Sequence, residues 1–304
     1  MTDRLLISES VAGALAARRP VVALETTLVT HGLPRPQGVQ VARSLEAVVD
    51  EEGATPATIG VLDGAIRVGL DPSELERLAE AREVTKLNLS NLAAQLVGGG
   101  PGSTTVAATV SVAARVGIEV FATGGIGGVH RGAAETGDVS SDLTALARFP
   151  VAVVCAGAKA VLDLARTVER LETLGVPVLG FATDEFPAFY RRQSGLPVDR
   201  SFEGIADLAR AIRAHWELGF TTGIVVANPI SAEFEMPREA YEEALVTALA
   251  DAGRAGVTGR GVTPFLLQRM AQLTEGRSVF TNRALLEGNA RVAARLAREL
   301  AALD

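Results

Sequence analysis

Two short apolar runs that lead into glycine-containing loops constrain this chain most strongly. The runs Ile118–Ala122 and Val151–Ala156 are rich in residues that favour strands. Such runs are typical of buried strands in an α/β sheet, with loops at the carboxyl ends of the strands. Ligands of α/β sheets usually bind at those ends. The pattern therefore predicts an α/β fold with a ligand site in the loops that follow these two runs.

These loops contain residue types that suit a reaction centre better than a packed core. Glycine lets the backbone approach a ligand closely, and imidazole, carboxylate and amine groups transfer protons or form covalent bonds. The residues in question are Gly124, Gly125, Gly127, Gly128, His130, Arg131, Asp138, Asp142 and Lys159. A dinucleotide fingerprint counted from Gly125 would need glycine where the chain has His130. His130 is therefore a candidate cation or proton donor, or a hydrogen-bonded loop residue.

Charge and composition narrow the function classes. The chain has 29 Lys and Arg against 36 Asp and Glu, a net charge of −7, which lacks the basic footprint of a nucleic-acid-binding protein. No run approaches the roughly 18 apolar residues of a membrane span. The single cysteine, Cys155, excludes an intrachain disulfide and is expected to be a buried hydrophobe. We expect a cytoplasmic protein that acts on a small molecule, without nucleic-acid or membrane partners.

Glu25 and Lys159 are candidates for proton transfer or covalent chemistry. Glu25 follows the apolar run Val21–Leu24. It is either a carboxylate at a strand end, exposed or paired with a nearby base, or a general acid or base whose pKa is shifted by partial burial. Lys159 is expected to begin a helix over residues 159–175, where the helix dipole and desolvation favour the neutral amine that Schiff-base chemistry needs. Lys86, taken alone, is typical of a surface charge.

Two further segments allow a binding and a structural interpretation. Asp138 and Asp142 flank Val139-Ser140-Ser141. Either Asp138 or Ser140 caps a helix there, or a carboxylate and the hydroxyls bind a hard divalent ion such as Mg²⁺ or Mn²⁺ together with water. The glycine-rich loop 98–102 precedes Ser103–Thr105 and a predicted helix, Val106–Val116. That arrangement is either a linker with an ordinary cap or an anion-binding seat.

The remaining pattern predicts one domain over residues 1–304. The Asp63-Gly64 pair predicts a hairpin, and residues 26–38 are expected to be irregular. Asn282 is expected to precede the last helix, 283–302, as a cap or a donor to ligand. The loop 183–198 is expected to be a lid or an oligomer contact, because it contains three aromatic residues: Phe186, Phe189 and Tyr190.

Several segments together resemble the pseudouridine-5′-phosphate glycosidase family, also known for its indigoidine-synthase-A-like members. They span roughly residues 21–282 and include VVALETTLVTHGLPRPQ, PATIGVLDG, TTVAATV, FATGGIGGVHRGA, DVSSDL, VAVVCAGAK and FPAFY. The resemblance implies a three-layer α/β/α sandwich with a central, mostly parallel or mixed sheet, assembled as a homotrimer. It also implies reversible conversion of pseudouridine 5′-phosphate and water into uracil and ribose 5-phosphate, with Mn²⁺.

The resemblance also implies roles for individual residues. Glu25 matches the proton donor, Lys159 the nucleophile and Asp138 the metal ligand. The matching substrate contacts are Lys86, Val106, Ser140, Ser141, Asp142 and Asn282. An amine at C1′ can open the ribose ring and form an iminium, with Glu25 supplying protons. His130 and Arg131 join Lys86 and the 102–105 loop as candidates for the phosphate.

Two alternatives stay open at the level of sequence. The same lysine would serve a Schiff-base aldolase acting on another sugar phosphate, without a uracil site. The glycine loops would also serve a nucleotide-binding protein that carries out no chemistry. A Lys159→Ala change separates that last class, because binding alone tolerates it. After Lys86 the chain reads LNLSNLAAQL, where a polar segment with arginine is expected, so the phosphate contacts are not assigned.

Overall fold

The computed structural model describes residues 4–32, 36–257 and 259–303. Its strands are β1 (Leu5–Ile7), β2 (Val21–Glu25), β3 (Thr55–Leu62), β4 (Ala65–Val68), β5 (Thr85–Leu87), β6 (Gly102–Thr104), β7 (Val120–Ala122), β8 (Ala152–Cys155), β9 (Val178–Phe181), β10 (Arg200–Phe202) and β11 (Ile224–Ala227). Its α-helices are α1 (Glu9–Ala16), α2 (Gln37–Glu51), α3 (Pro72–Glu80), α4 (Leu92–Gly98), α5 (Val106–Val116), α6 (Ala133–Thr136), α7 (Ser141–Leu146), α8 (Leu164–Thr173), α9 (Ile205–Glu217), α10 (Arg238–Arg254), α11 (Val262–Leu273) and α12 (Arg277–Ala301).

The described strands form one mixed, mostly parallel sheet. Its order is β1-β4-β3-β2-β7-β8-β11-β9-β10, with β6 paired to β3 and β5 paired to β6. Only the β3–β4 and β3–β6 pairs within the described residues are antiparallel. Helices flank the sheet: α12 packs on α2 and α9, and α5 packs on α7. The predicted α/β/α sandwich is confirmed.

The two apolar runs that opened the sequence argument are neighbouring parallel strands. In β7 and β8, Val120 pairs with Ala152 and Ala122 pairs with Val154. Every residue of both strands is buried, as expected for a sheet covered on both faces. β2 lies on the other side of β7 and is also buried throughout. The carboxyl ends of β2, β7 and β8 therefore meet at one edge of the sheet.

Local sequence explains several of the element boundaries. The side chain of Asp71 accepts hydrogen bonds from the backbone N–H groups of Ser73 and Glu74, which forms a capping box at the start of α3. Asp63 and Gly64 both have positive φ, as a tight hairpin turn requires, and they connect β3 to β4 as predicted.

No helix within the described residues is both long and apolar enough to cross a membrane.

The structure contradicts the predicted helix start at Lys159. The segment 156–163 instead runs alongside the glycine loop after β7: the Lys159 N–H donates to the Ile126 carbonyl at 3.0 Å. Helix α8 begins only at Leu164, where the Asp163 side chain accepts the N–H of Arg166. Backbone pairing within the site thus outcompetes helix formation for these residues, and the helix-dipole argument for Lys159 is wrong.

Three other predictions are also wrong. Residues 28–32 of the segment expected to be irregular form a π-helix, Leu28–Gly32; residues 33–35 lie outside the described part. Asn282 lies inside α12, because the helix already begins after Gly276, which takes a left-handed φ of 83°. The three aromatic residues of the loop 183–198 are buried, so they do not form the exposed surface on which the lid or contact prediction depended.

Candidate active site

The site is a cavity of about 370 Å³ at the carboxyl ends of β2, β7 and β8. That volume lies in the range of small-molecule sites. Every residue that the sequence analysis proposed as catalytic or metal-binding lines this cavity, and so do the proposed substrate contacts except Val106, Arg131 and residues 102–104. Val106 is fully buried as the first residue of α5, although the preceding Thr105 does face the cavity. The tertiary structure thus brings together residues that are up to 257 positions apart in the chain, from Glu25 to Asn282.

Glu25 is the last residue of β2 and is 6% exposed. The Thr123 hydroxyl donates a hydrogen bond of 2.5 Å to Glu25 Oε1. Burial raises the pKa of the Glu25 carboxyl, and this effect outweighs the opposing influence of Lys159, the Thr123 hydrogen bond and Lys86. A carboxyl group with a raised pKa retains its proton towards neutral pH, which suits a general acid. The structure therefore favours the catalytic interpretation of Glu25 over an exposed strand end.

Lys159 lies in the loop after β8 and lines the same cavity as Glu25. Within the described part of the chain, no carboxylate forms an ion pair with its amine. The backbone around it is held by the Ile126 carbonyl and by the N–H of Leu162, which donates to the Lys159 carbonyl. The side chain is therefore anchored at its base and directed to a cavity in which an amine can attack a carbonyl-type carbon.

The lysine content of the chain gives a signal that the sequence analysis missed. Among 29 basic residues only two are lysines, Lys86 and Lys159, and the other 27 are arginines. Both lysines line the cavity. Arginine replaces lysine well as a surface charge but cannot act as an amine nucleophile. Both amines of a chain that otherwise uses arginine therefore lie at one cavity, which places Lys86 at the candidate site.

Asp142 connects the loop after β7 to helix α5. Its Oδ1 accepts the backbone N–H of Ala107 at 2.9 Å, and its Oδ2 accepts that of Gly127 at 2.8 Å. Ser140 caps α7 by accepting the N–H of Asp142 at 3.2 Å. A Cβ on Gly127 would lie 2.2 Å from the Ser140 oxygen, so only glycine fits there. Ser140, Ser141 and Asp142 thus hold the cavity wall in shape while they face the cavity.

His130 and Asp138 form the outer wall of the cavity. Their backbones pair, with the His130 N–H donating to the Asp138 carbonyl at 3.1 Å, and His130 Nδ1 lies 4.0 Å from Asp138 Oδ2. Burial lowers the pKa of the His130 imidazole despite Asp138, and the charges of Lys86 and Lys159 lower it further. A neutral imidazole near neutral pH donates or accepts a hydrogen bond but contributes no full positive charge to a phosphate.

The cavity offers few side-chain ligands for a divalent metal ion. Within the described residues, no three His, Cys, Asp or Glu side chains gather as a metal-binding cluster. Asp142 already uses both oxygens on backbone N–H groups. Asp138 is 35% exposed and faces the cavity with one carboxylate. These residues fit an ion such as Mg²⁺ or Mn²⁺ that is held by one carboxylate and otherwise by water and substrate, and they do not fit a closed protein cage.

Cys155, in contrast, is not part of the chemistry. It is fully buried in β8, and burial raises the pKa of its thiol to about 12. The expectation of a buried small hydrophobe is confirmed, because a thiol with so high a pKa supplies no thiolate.

Comparison with known proteins places these residues in a family. The family model described as indigoidine synthase A like protein matches residues 10–299. The chain belongs to the indigoidine synthase A-like family. Two relatives named pseudouridine-5′-phosphate glycosidase are 51% identical (Caldanaerobacter subterraneus subsp. tengcongensis; 97% of this chain and 96% of that one) and 52% identical (Paracoccus denitrificans; 99% and 100%).

Two solved structures of the same shape support the family assignment. The prealnumycin C-glycosynthase AlnA, in complex with ribulose 5-phosphate, is 39% identical with a TM-score of 0.91, over 98% of this chain and 97% of that chain. An indigoidine synthase A-like protein from Thermotoga maritima is 35% identical with a TM-score of 0.88, over 98% of this chain and 96% of that chain. The matches cover nearly the whole chain, including all the elements that form the cavity.

Proposed function

We propose that this protein is a pseudouridine-5′-phosphate glycosidase that cleaves pseudouridine 5′-phosphate, reversibly, into uracil and ribose 5-phosphate. The observation that carries the proposal is that a buried glutamate, Glu25, and an amine, Lys159, face one cavity from the ends of the two strands that flank β7. Curated relatives about half identical over their full length bear this name. A structural relative that is named a C-glycosynthase was solved with another pentose phosphate, ribulose 5-phosphate.

The first half of the reaction is ring opening. The bond to be broken joins two carbons, so there is no leaving oxygen that a pair of carboxylates could protonate as in ordinary glycoside hydrolysis. Lys159 Nζ, as a neutral amine, forms a bond to C1′ of the ribose while the C1′–O4′ bond breaks. The O4′ oxygen takes the proton of Glu25. Glu25 then recovers a proton from the nitrogen that has become attached to C1′.

The second half releases the base and the sugar. The nitrogen lone pair forms a C1′=N iminium, and the electron pair of the C1′–C5 bond goes to C5 of uracil, which takes the proton of Glu25. Water then hydrolyses the iminium and releases ribose 5-phosphate, and the proton set free passes to the Glu25 carboxylate, which leaves Lys159 as the neutral amine. Glu25 thus acts twice as a proton donor, which its raised pKa supports.

Substrate binding is assigned to the rest of the cavity. Lys86 at the edge strand β5, together with Asn88 and Ser90 after it, provides a cation and hydrogen-bonding groups for the phosphate. Asn88 and Ser90 belong to the segment whose divergence left the phosphate contacts unassigned. Asn282 on α12 provides an amide for the base. When bound, Mn²⁺ would be held by Asp138 and would neutralise negative charge on the substrate.

Three further parts of the proposal rest on the family resemblance and on composition. They are Mn²⁺ as the cofactor, a homotrimeric assembly and a cytoplasmic location. Size-exclusion chromatography with light scattering tests the assembly, and metal titration of the wild type against Asp138→Asn tests the metal site.

The deciding experiment is trapping of the imine. Protein, ribose 5-phosphate and Mn²⁺ are treated with borohydride, and the intact mass and tryptic peptides are measured. A single reduced sugar adduct at Lys159 is expected. The chain has only two lysines, so Lys86 serves as the internal control within the same cavity. Adding uracil to untreated protein and ribose 5-phosphate should then yield pseudouridine 5′-phosphate.

The outcomes separate the alternatives. An adduct at Lys159 without any product from uracil would indicate an aldolase-type reaction on another sugar phosphate. Absence of an adduct, under conditions that trap a control aldolase, would contradict Lys159 as nucleophile and leave a binding function. Lys159→Arg should abolish both adduct and turnover while retaining the positive charge.

A further inference from the structure

A buried series of hydrogen bonds connects Glu25 to helix α12 and to the residue that follows β11. Thr123 follows β7, is 1% exposed, and donates from its hydroxyl to Glu25 Oε1 at 2.5 Å. The Thr123 carbonyl accepts a hydrogen bond from Asn289 Nδ2 at 2.7 Å. Asn289 Oδ1 in turn accepts one from Asn228 Nδ2 at 2.9 Å. Nothing in the sequence singles out Thr123 or Asn289, which stand 166 residues apart.

These hydrogen bonds hold the backbone of Thr123 from both sides. The Thr123 N–H donates to the Val154 carbonyl of β8 at 3.0 Å, while α12 holds its carbonyl through Asn289. Asn228 is itself attached to β8, because its N–H donates to the Cys155 carbonyl at 2.9 Å. Polar groups buried at this depth are retained only when they are hydrogen-bonded. The hydroxyl of Thr123 therefore has a defined position from which to hold the carboxyl group.

The charged groups around Glu25 shift the protonation equilibrium of its carboxyl group, but they do not fix the orientation of that group. Lys159 from the loop after β8 and Lys86 from β5 favour its carboxylate form, and Asp142 from α7 opposes that form. His130 faces the same cavity. Charge acts over several ångströms with little directional preference, whereas a short hydrogen bond selects one oxygen atom and one direction. Thr123 supplies that directional contact.

We propose that Thr123, held by Asn289, is a positioning residue that makes Oε2 of Glu25 the oxygen that delivers the proton. Oε1 is occupied as the acceptor of the Thr123 hydroxyl, which leaves Oε2 as the oxygen that carries the transferable proton. In the base-release step the Oε2–H bond breaks, a C5–H bond forms on uracil, and the electron pair of the C1′–C5 bond moves to C5. This inference rests on the proposed glycosidase function.

The test compares three threonine variants by steady-state kinetics over pH. Thr123→Val removes the hydroxyl at nearly constant shape, and Thr123→Ser restores it. Thr109→Val is the matched control, because Thr109 is also fully buried and, within the described residues, its hydroxyl bonds Thr104, which does not line the cavity. We expect Thr123→Val to lose about tenfold or more in kcat, a part of the roughly 10²–10⁴-fold that a general acid contributes. Thr123→Ser should recover most of that loss.

The pH profile distinguishes positioning from a merely structural role. The high-pH limb of kcat reports loss of the Glu25 proton in the substrate complex. The Thr123 hydrogen bond favours the carboxylate and lowers the pKa of Glu25. Its removal should therefore move the limb to higher pH in Thr123→Val, while Thr109→Val leaves the limb unchanged.

Two results would overturn the inference: an unmoved limb in Thr123→Val, or full activity without the hydroxyl. Thr123→Ala gives the same readout if the valine variant does not fold. The imine trapped on wild-type Lys159 tests the proposed function separately: with no adduct and no turnover in the wild type, the function fails, whereas an active wild type with an unshifted variant refutes only the role of Thr123.

Discussion

Replacing Asp142 with asparagine should destabilise the folded protein measurably. The carboxylate is 4% exposed and accepts two backbone N–H groups, from Ala107 and Gly127. Asparagine offers one acceptor oxygen, so one of these N–H groups would face an NH₂ group and lose its partner. The loss falls where α5, α7 and the glycine loop meet, so it should affect both stability and the shape of the cavity.

The expected magnitude follows from the contacts. A hydrogen bond to a charged group contributes about 1.5–3 kcal/mol, and a buried donor without a partner costs about 1–3 kcal/mol. For Asp142→Asn we expect the free energy of unfolding to fall by about 2–3 kcal/mol. With an unfolding entropy of about 2.1 cal/mol/K per residue over 304 residues, this corresponds to a Tm lower by about 3–5 °C.

The assay is thermal and urea unfolding of Asp142→Asn beside Asp50→Asn. Asp50 is an exposed aspartate of α2, and its substitution should change stability by no more than about 0.5 kcal/mol. The urea midpoint should fall for Asp142→Asn at an unchanged m value. Equal midpoints for the two variants would refute the view that Asp142 holds the site together through its backbone contacts.

Three further predictions concern other parts of the site. Glu25→Gln should abolish turnover yet raise the free energy of unfolding at neutral pH. Because the pKa of Glu25 is raised in the folded protein, the native state binds more protons than the unfolded state above pH 4.5 and loses stability as the pH rises through the folded pKa. Glutamine does not ionise and therefore avoids this loss. Cys155 should react with a thiol reagent only after unfolding, as measured by absorbance with and without denaturant. Gly157→Ala should cost about 2–5 kcal/mol in urea unfolding, because Gly157 has φ +81° and its Cβ would lie 1.9 Å from the Pro187 carbonyl oxygen.

Each of these has a distinct contrary result. A stability gain of Glu25→Gln that persists below pH 4 would show that charge burial is not its source. Rapid thiol modification of the native protein would contradict the buried position of Cys155. Gly137→Ala is the control for Gly157→Ala, since it has φ +67° with open space around it and should cost only about 1–2 kcal/mol. Equal costs for the two would exclude the contact with Pro187.

Much of the architecture could be read from local pattern. The strands β2, β7, β8 and β11 are short apolar runs bounded by turn residues, and burial on both faces leaves them no other arrangement. Glu25 was a candidate because it ends such a strand. The catalytic roles of the site residues stay predictions, but the placement of Glu25 and Lys159 at one cavity agrees with the sequence argument.

The predictions that were wrong depended on competition between local and long-range contacts. Lys159 stands before a helix-favouring segment, yet pairing with Ile126 holds it in a loop, and the helix begins five residues later. Phe189 looks like a surface aromatic, yet its ring packs against Gly125 and Tyr190. Helix propensity and polarity are local quantities, and a few tertiary contacts outweigh them.

The amino-acid sequence by itself determined the strands, the glycine loops at their ends and the restriction of lysine to two positions. These depend on residue type and on spacing along the chain. Only the tertiary structure decided that Thr123 and Asn289 support Glu25, and that Asp142 bridges two backbone segments. Such contacts join residues distant in sequence, and a hydrogen bond forms only when folding places its donor within about 3 Å of its acceptor.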